Sequence, residues 1–327
     1  MQLDALRERA ATSTRIDPRF CPTTHKRIVE LSHSGLNSLS SCPRRFAFRK
    51  IILNHRSEWQ ETDATAVGTA VHEGVQEYMR SRDVDAAVHA LALHHPHFLK
   101  DKTKASTYDL EASVWTLLQI IENSDLPSYE LATFLKDGAE HKATEIAFLV
   151  IIEFETVIFH LRGFIDLVLM NPLTGRFLPV DIKTTTPQGL GTMQPKYRYD
   201  WQVTSYGIPL NALLGNTGSF DVGVFGVIMS DREPKFEFPI YERRPHDLEK
   251  YQFYLFDKCK QILGYLDQED FPRHPQSCYS FGRLCHYHQQ CSADNLHEMQ
   301  MLVNPSMDPG KIERPFDPII TARFEGE

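Results

Sequence analysis

The sequence contains no hydrophobic run long enough to cross a membrane; its most apolar stretches, such as FLVII at residues 148–152, have the length of a strand. The first twenty residues, MQLDALRERAATSTRIDPRF, lack the apolar core of a secretory signal. The chain also has no G-x-x-x-x-G-K-[ST] loop, no internal repeat and no low-complexity segment. These absences predict a cytoplasmic protein that carries no helicase motor of its own.

Positive charge is also scarce. The chain has 35 Lys and Arg against 43 Asp and Glu, a formal net charge of -8, which argues against a surface that is basic throughout but leaves room for local basic patches. With 327 residues, 42% of them hydrophobic, it can form one large domain or two small ones. In the cytoplasm the six cysteines are not expected to form disulfides, so a cluster among them suggests metal binding or reactivity.

The character of the sequence changes along its length, from helical patterns to β-branched and aromatic strand patterns near Thr144. The clearest helix is GTAVHEGVQEYMR, at residues 68–80. The predicted order is helices, three strands, a helix, a strand and a final helix. The predicted regions are a poorly ordered segment (1–30), a helical region (31–143), an α/β core (144–268), a cysteine-rich segment (269–302) and a tail (303–327).

Two predicted strands in the core, GFIDLVLM and RFLPVDIKT, carry charged residues that interrupt their apolar pattern. Asp181 and Lys183 share one strand face. With the turn centred near Leu173, we expect Asp166 almost opposite Val180 and diagonal to Asp181. Buried charges need a partner or a metal. The group is therefore either a structural ion pair at a solvated strand edge or a cation site, and its net negative charge favours a divalent cation.

The sequence resembles the PD-(D/E)XK nuclease superfamily, and in particular its RecB-type branch. The resemblance covers roughly residues 32–291 and implies an α/β fold, a restriction-endonuclease-like core in which helices flank a mixed sheet, with an N-terminal helical insertion and a C-terminal cysteine-rich metal staple. Four short patterns in the family's order carry it: Gly68-x-x-x-His72, Gly163-x-x-Asp166, Asp181-x-Lys183 and Gln202-x-x-x-Tyr206.

The resemblance implies a Mg²⁺- or Mn²⁺-dependent nuclease. Such a metal lowers the pKa of a bound water and holds the phosphate oxygens. By resemblance its ligands are His72, Asp166, Asp181 and the carbonyl of Ile182, while Lys183 orients the water and stabilises developing charge. The alternative for His72 is an ordinary helix histidine, since it lies off the centre of the apolar stripe.

Gln202 and Tyr206 are four residues apart and share one helix face. The resemblance places both at the border of the active site, whereas the plain alternative is an amphipathic surface. Glu145 is a further candidate to support the site. KYRYDWQ (196–202) and RRFAFRK (44–50) mix cations with aromatics, which suits phosphate contact and base stacking on a single strand or else an ordinary surface.

Three cysteines, Cys278, Cys285 and Cys291, lie within fourteen residues, in a C-x6-C-x5-C array. A metal site usually has four ligands, and Cys42 is the best distant candidate. AddB-like and CRISPR-associated exonuclease-like members of the branch look similar: one cysteine before the core and three after it hold a 4Fe-4S cluster that joins the chain ends.

The first cysteine gap is longer here than in the family pattern C-x2-C-x5-C, which leaves Zn²⁺ open as the alternative metal. His286 or His288 could then replace a thiol, and Cys21 rivals Cys42. Cys259 lies within a predicted helix and is expected in the core.

Three functions remain open from the sequence. The preferred one is a metal-dependent exonuclease that acts on single-stranded DNA or duplex ends in recombination, repair or phage DNA processing, together with a separate helicase or recombination protein. The second is a structure-specific endonuclease. The third is a non-catalytic module that binds DNA ends or a partner. The complete set of Asp166, Asp181 and Lys183 argues against the third, because a binding module does not need it.

Overall fold

A large mixed sheet runs through the centre of the protein. The computed structural model describes residues 20–21, 23–52, 62–97, 108–136, 138–214, 220–230, 232–280, 283–302 and 318–326. The strands of this part of the chain are β1 (Arg27–Leu31), β2 (Glu130–Leu131), β3 (Thr133–Lys136), β4 (Ala139–Lys142), β5 (Thr144–Glu153), β6 (Val157–Met170), β7 (Phe177–Thr185), β8 (Phe220–Ile228), β9 (Lys235–Glu237), β10 (Ile240–Arg243), β11 (Tyr279–Ser280), β12 (Arg283–Leu284) and β13 (Ile320–Glu325).

Helices cover both faces of this sheet. They are α1 (His33–Ser41), α2 (Pro43–Phe46), which continues as a π-turn (Ala47–Ile52), α3 (Asp63–Ser81), α4 (Val84–His94), α5 (Leu110–Asn123), α6 (Pro187–Gly191), α7 (Met193–Tyr197), α8 (Trp201–Ser205), α9 (Gly207–Leu214), α10 (Pro245–Asp267) and α11 (Leu296–Leu302). Short 3-10 turns lie at Leu126–Ser128, Pro275–Ser277 and Gln290–Ser292.

The central sheet has the strand order β10-β8-β7-β6-β5-β13, with β9 added to β8 and both β1 and β2 added to β6. β5, β6 and β7 form an antiparallel meander, and β7 and β8 are parallel. β3 with β4 and β11 with β12 form two separate hairpins. The result is the helix-flanked mixed α/β sheet that the sequence predicts.

Two hydrophobic cores lie on the two faces of the sheet. On one face α3, α4 and α5 pack over β7 and β8, and the predicted stripe of α3 is confirmed, because Val67, Val71 and Val75 are fully buried. On the other face α1, α2, α8 and α10 pack over β5, β6 and β8. Thr62 caps α3 by accepting a hydrogen bond from the Thr65 amide, so α3 begins before the predicted Gly68.

The segments 1–30 and 303–327, predicted as a poorly ordered segment and a tail, each contribute residues to a strand of the sheet. β1 falls partly in the segment 1–30, and β13 falls in the predicted tail, parallel to β5. In β13, Ile320 and Ala322 are buried while Thr321 and Arg323 are exposed, an alternation of period two that is typical of a strand. Residues 1–19 and 303–317 lie outside the part of the chain that the structure describes.

Three other elements differ from the sequence-based prediction. The region 31–143, predicted as helical, also holds β2, β3 and β4. YDWQVTSYGIPLNALL, at residues 199–214, has a sequence that predicts one helix, but it is divided at Tyr206 into α8 and α9. KFEFPIYE, at residues 235–242, has a sequence that predicts one strand, but it is divided into β9 and β10, since Pro239 has no amide to donate to a ladder.

The register of the β6–β7 hairpin is shifted by one residue from the prediction. Leu167 pairs with Val180, because the connecting turn runs from Asn171 to Arg176 and includes Gly175 at a φ of +67°. A one-residue shift moves a side chain to the opposite face of a sheet. Asp166 therefore faces the position of Asp181 instead of Val180, which brings the two carboxylates to the same side.

On one edge of β6 there is a gap between two ladders. β7 pairs with Leu167–Met170 and β1 pairs with Val157–Leu161, both on the edge opposite β5. On this edge, residues 162–166 lie between the ladder with β1 and the ladder with β7. The strands β6 and β7 diverge at the gap, and the predicted site residues collect around it.

Candidate active site

Asp181 is the centre of the site and is almost completely buried, at 1% exposure. Its Oδ1 accepts hydrogen bonds from Lys183 Nζ (3.0 Å), Gln202 Nε2 (3.0 Å) and Tyr206 Oη (2.9 Å). Gln202 Nε2 also lies 3.1 Å from Tyr206 Oη. Lys183 from β7 and Gln202 and Tyr206 from the following helical segment thus converge on one carboxylate oxygen.

The second oxygen of Asp181 is in a different situation. Oδ2 lies 2.8 Å from Lys183 Nζ, but it is buried and no described donor meets it with hydrogen-bond geometry. A buried charged oxygen without a directed donor is unusual, because the lost hydration is not replaced. Oδ2 is therefore the atom of this site best placed to receive a further cation.

Asp166 occupies the gap between β6 and β7. Its Oδ2 accepts a hydrogen bond of 2.7 Å from the Ile182 amide, in place of the ladder hydrogen bond that a paired strand would make. The amide and the carbonyl of one strand residue point towards the same neighbouring strand. The carbonyl of Ile182 is therefore directed towards the gap as well.

His72 reaches the gap from α3, and its Nδ1 lies 4.0 Å from Asp166 Oδ2. Gly68, one turn earlier, explains how α3 comes so close. A Cβ atom at Gly68 would lie 2.5 Å from Thr184 Oγ1, closer than side-chain atoms ever approach. The glycine of this motif therefore permits the contact between α3 and β7 that brings His72 to the site.

Burial and neighbouring charges shift the pKa values of the residues at the gap. Burial, together with the charge of Asp181, raises the pKa of Asp166 to about 7. Burial and the charge of Lys183 lower the pKa of His72 to about 4, so its imidazole is neutral at pH 7 and able to act as a metal ligand. Burial disfavours the Lys183 ammonium, but Asp181 and Asp166 together raise its pKa.

Gly163 positions Tyr206 indirectly. It pairs with Phe148 across β5 and β6, and a Cβ atom at Gly163 would lie 2.5 Å from Phe148 Cζ. The Phe148 ring meets the Tyr206 ring edge-on, with centroids 6.2 Å apart. The glycine of the Gly163-x-x-Asp166 pattern thus leaves room for the ring against which Tyr206 packs.

Two residues near the site were not found from the sequence. Asp200 caps α8, and its Oδ1 accepts a hydrogen bond of 2.7 Å from the Gln202 amide. His33, the first residue of α1, has a buried Nδ1 without a hydrogen-bond partner among the described residues. Burial lowers its pKa, while the charges of Asp200 and Asp181 oppose this effect. The N-cap pattern of Asp200 could have been recognised, but nothing local to His33 indicates its position.

Glu145 lies at the head of β5, as predicted, with a positive φ of 48°. Its charge contributes to the raised pKa of Asp166, although less than burial and Asp181 do. In the described residues there is no group of three or more His, Cys, Asp or Glu side chains arranged to hold a metal ion. The predicted ligands His72, Asp166 and Asp181 do not form such a group, and Asp181 is paired with Lys183 instead.

The four predicted cysteines, Cys42, Cys278, Cys285 and Cys291, line a single cavity of about 10 Å³. Burial raises the pKa of Cys291, with contributions from Cys42 and Cys278. Cys21 lies elsewhere, with its Sγ 3.3 Å from Thr23 Oγ1, and Cys259 is buried in α10 as expected.

Arg44 joins α2 to the segment 270–293 beside this cavity. It is buried, at 3% exposure, and donates to the Phe271 carbonyl (2.8 Å), the Ala293 carbonyl and Asp270 Oδ1 (2.7 Å). The Phe48 ring stacks on Tyr287 at 4.8 Å. Arg44 is therefore a structural residue, and the prediction that it contacts phosphate is not supported.

Comparison with known proteins agrees with the site. The family model of the PD-(D/E)XK nuclease superfamily matches residues 30–292. The chain belongs to the PD-(D/E)XK nuclease superfamily.

No curated protein matches the chain. A solved structure described as "Crystal structure of SSO0001" is 13% identical, covers 79% of this chain and 83% of its own, and has a TM-score of 0.28. That score is too low to carry an argument. None of the helices in the described residues has the length and apolar character needed to span a membrane.

Proposed function

We propose that this protein is a Mg²⁺- or Mn²⁺-dependent DNA nuclease, acting as an exonuclease on single-stranded DNA or duplex ends. The observation that carries the proposal is the pair of carboxylates at the β6–β7 gap. Asp181 is buried with one oxygen that lacks a directed donor among the described residues, and Asp166 has a pKa raised to about 7. A divalent cation would relieve the repulsion between these carboxylates and satisfy that oxygen.

The donor set fits such a cation. Asp166, Asp181 and the Ile182 carbonyl offer the oxygen ligands that Mg²⁺ and Mn²⁺ prefer, and the neutral imidazole of His72 adds a nitrogen that favours Mn²⁺ somewhat. Since Lys183 Nζ is already 2.8 Å from Asp181 Oδ2, the cation would share this carboxylate with the ammonium. When bound, the metal would supply a water of lowered pKa and charge neutralisation at the phosphate.

The residues around the metal position have distinct roles in this proposal. Lys183 remains protonated at neutral pH because its pKa is raised, and its ammonium orients the attacking water and stabilises charge that develops on the phosphate. Gln202 and Tyr206 fix Asp181 through its Oδ1. A carboxylate held by three donors keeps its geometry as substrate enters and leaves, which favours catalysis over simple binding.

We further propose that Cys42, Cys278, Cys285 and Cys291 bind one metal centre, a 4Fe-4S cluster by resemblance or Zn²⁺ as the alternative. Four thiols line the cavity together, and no Asp or Glu is among the described residues that line it. The cavity of about 10 Å³ does not accommodate a cluster unless the thiols move apart. Zn²⁺ requires less space, so metal analysis decides between the two.

The test of the nuclease proposal is digestion of end-labelled single- and double-stranded DNA with and without Mn²⁺. Asp181→Asn and Lys183→Ala should each abolish cleavage while the protein stays folded. Cleavage at the wild-type level by either purified variant would refute the assignment. Short products from the labelled end indicate an exonuclease. Internal cuts at junctions favour an endonuclease, and binding without cleavage by the wild type favours a non-catalytic module.

A further inference from the structure

A large cavity lies on the side of α8 that faces away from Asp181. It has a volume of about 1050 Å³ and lies between the α7–α8 segment and the start of α10. We call it the basic groove. The residues of the groove that matter below are Arg198, Tyr199, Trp201, Tyr241, Arg244 and Lys250. A ligand pocket for a drug-sized molecule has about 300–1,000 Å³, so the groove is large enough for more than one nucleotide.

The charge of the groove is opposite to that of the chain as a whole. Four of its lining residues are Lys or Arg and two are Asp or Glu, whereas the chain has a formal net charge of -8. Arg198 and Lys250 are exposed and form no ion pair with any residue that the structure describes, whereas the exposed Arg244 has its Nε 3.5 Å from Glu242 Oε2. The positive end of the 23-residue helix α10 adds to this field. The groove is thus suited to an anionic ligand with several phosphates.

Aromatic rings lie beside these cations. Tyr199 is 76% exposed, and the Arg198 guanidinium lies 5.7 Å from the centre of its ring. Trp201 stacks on Tyr254, with centroids 5.5 Å apart. Tyr241 donates a hydrogen bond of 3.0 Å to the Gln194 carbonyl, which fixes its ring. An exposed ring such as that of Tyr199 has no packing role in the monomer but can stack on an unpaired base.

The floor of the groove is rigid and connected to the active site. Arg243 is buried and donates to Thr204 Oγ1 (2.8 Å) and to the Tyr197 carbonyl (3.0 Å). Trp201 in the groove directly precedes Gln202, which contacts Asp181. The groove and the catalytic carboxylate are therefore separated by a single helix, with a diameter of about 10 Å.

We propose that the basic groove binds single-stranded DNA, with an unpaired base stacked on Tyr199 and phosphates contacting Arg198, Arg244 and Lys250. This inference rests on the proposed nuclease function and specifies the form of its substrate. Inside a duplex each base is stacked between its neighbours, so an internal base cannot stack on Tyr199. The groove therefore selects unpaired strands and holds them one helix away from the site of cleavage.

The test measures fluorescence anisotropy of a labelled oligothymidylate with the full chain, using Ca²⁺ in place of Mg²⁺ or Mn²⁺. Tyr199→Ala should weaken binding at least about fivefold, the smallest loss expected for one stacked base. Lys250→Ala should lower the slope of log K against log salt concentration by about 0.7. The matched controls are Phe253→Ala, an exposed aromatic on α10, and Lys260→Ala, an exposed cation on the same helix.

Binding by both groove variants at the wild-type level would overturn the proposal, as would equal losses in the matched controls. Equal binding of a duplex of the same length, weakened to the same extent by Tyr199→Ala, would also overturn it. Cleavage of the labelled oligothymidylate in Mn²⁺ separates the two hypotheses, and Phe253→Ala should cleave it as the wild type does. If the wild type binds the oligonucleotide but does not cleave it, the nuclease function is refuted, and the effect of Tyr199→Ala on binding still decides the groove.

Discussion

Tyr206 and Asp181, twenty-five residues apart, are joined by a hydrogen bond of 2.9 Å in the interior of the protein. The hydroxyl donates to the same oxygen that Gln202 and Lys183 contact. Burial and the charge of Asp181 raise the pKa of Tyr206, so its hydroxyl stays protonated and remains a donor. The Gln202-x-x-x-Tyr206 pattern therefore serves to hold a carboxylate.

Tyr206→Phe should lower Mn²⁺-dependent DNA cleavage by about tenfold to a hundredfold. It removes one hydrogen bond to a charged group, worth about 1.5–3 kcal/mol, and leaves the ring in place. The measurement is kcat/KM on labelled single-stranded DNA. Tyr279→Phe, at a 65% exposed tyrosine, is the control and should be unchanged. Full activity of Tyr206→Phe would mean that the hydroxyl has no part in the reaction.

His72→Ala should raise the Mn²⁺ concentration needed for half-maximal cleavage, because it removes the proposed nitrogen ligand. Excess Mn²⁺ should restore part of the activity. His89→Ala, an exposed histidine on α4, is the control and should keep the wild-type metal dependence. An unchanged Mn²⁺ dependence of His72→Ala would show that this histidine is structural.

Gly68→Ala should reduce cleavage, because the new methyl group meets Thr184 Oγ1 and moves α3 with His72 away from the gap. Alanine in a helix is otherwise more stable than glycine by about 1 kcal/mol. The double variant Gly68→Ala with Thr184→Ala should therefore recover activity and melt above the single variant. Gly191→Ala is the control, because a Cβ atom added there would meet no described atom within 4 Å. A double variant as inactive as the single one would contradict this explanation.

Asp166→Asn should raise the melting temperature of the metal-free protein at pH 8 by a few degrees, but not at pH 4. The folded-state pKa of Asp166, about 7, lies above its usual value of 3.8, so the folded protein binds this proton more tightly than the unfolded chain. The resulting stability is fully present below about pH 4 and is lost as the pH rises through 7. Asparagine removes the titration and can still accept the Ile182 hydrogen bond.

Thermal melts across this pH range, with chelator present, provide the measurement. Asp257→Asn, an exposed aspartate on α10, controls for the loss of one negative charge. Added Mn²⁺ should stabilise the wild type and not Asp166→Asn. A constant difference between the two proteins from pH 4 to 8 would contradict the raised pKa.

Cys285→Ser should lose the bound metal and lower the melting temperature by several degrees, since metal–thiolate bonds contribute to folding free energy. Anaerobically purified wild type should be brown if the centre contains iron. Colourless protein with one zinc per chain would mean that the site exists and holds Zn²⁺ instead of a 4Fe-4S cluster. Cys21→Ser, which lies away from the cavity, is the control. If the wild type contains neither iron nor zinc and Cys285→Ser is as stable as the wild type, the proposed metal centre is refuted.

The types of the elements that carry the site could be predicted from local sequence. The apolar stripe of α3, the strands around Asp166 and Asp181, and the helix of Gln202 all follow from patterns within about fifteen residues. The resemblance placed Gln202 and Tyr206 only at the border of the active site, and their contact with Asp181 comes from the structure. Asp166, however, was assigned to the wrong register, because one extra turn residue decides which face it occupies.

The rest of the architecture depends on contacts that are distant in sequence. The gap in β6 lies between its ladder with β7 and its ladder with β1, and β1 comes from the start of the described chain. β13 joins the sheet from the other end, and its six residues are too short to distinguish from a polar tail. His33 comes near Asp181 only through the packing of α1. No pattern within a single element contains this information.

The hydrogen bond from the Ile182 amide to Asp166 gives the protein a spectroscopic reporter of its own. The chemical shift and solvent exchange of this one amide proton depend on the carboxylate that accepts it. Protonation of Asp166, a bound cation or an arriving phosphate would each change the signal without any label attached. In nuclear magnetic resonance, one backbone resonance can therefore be followed as a cation or a phosphate binds at the gap and leaves it.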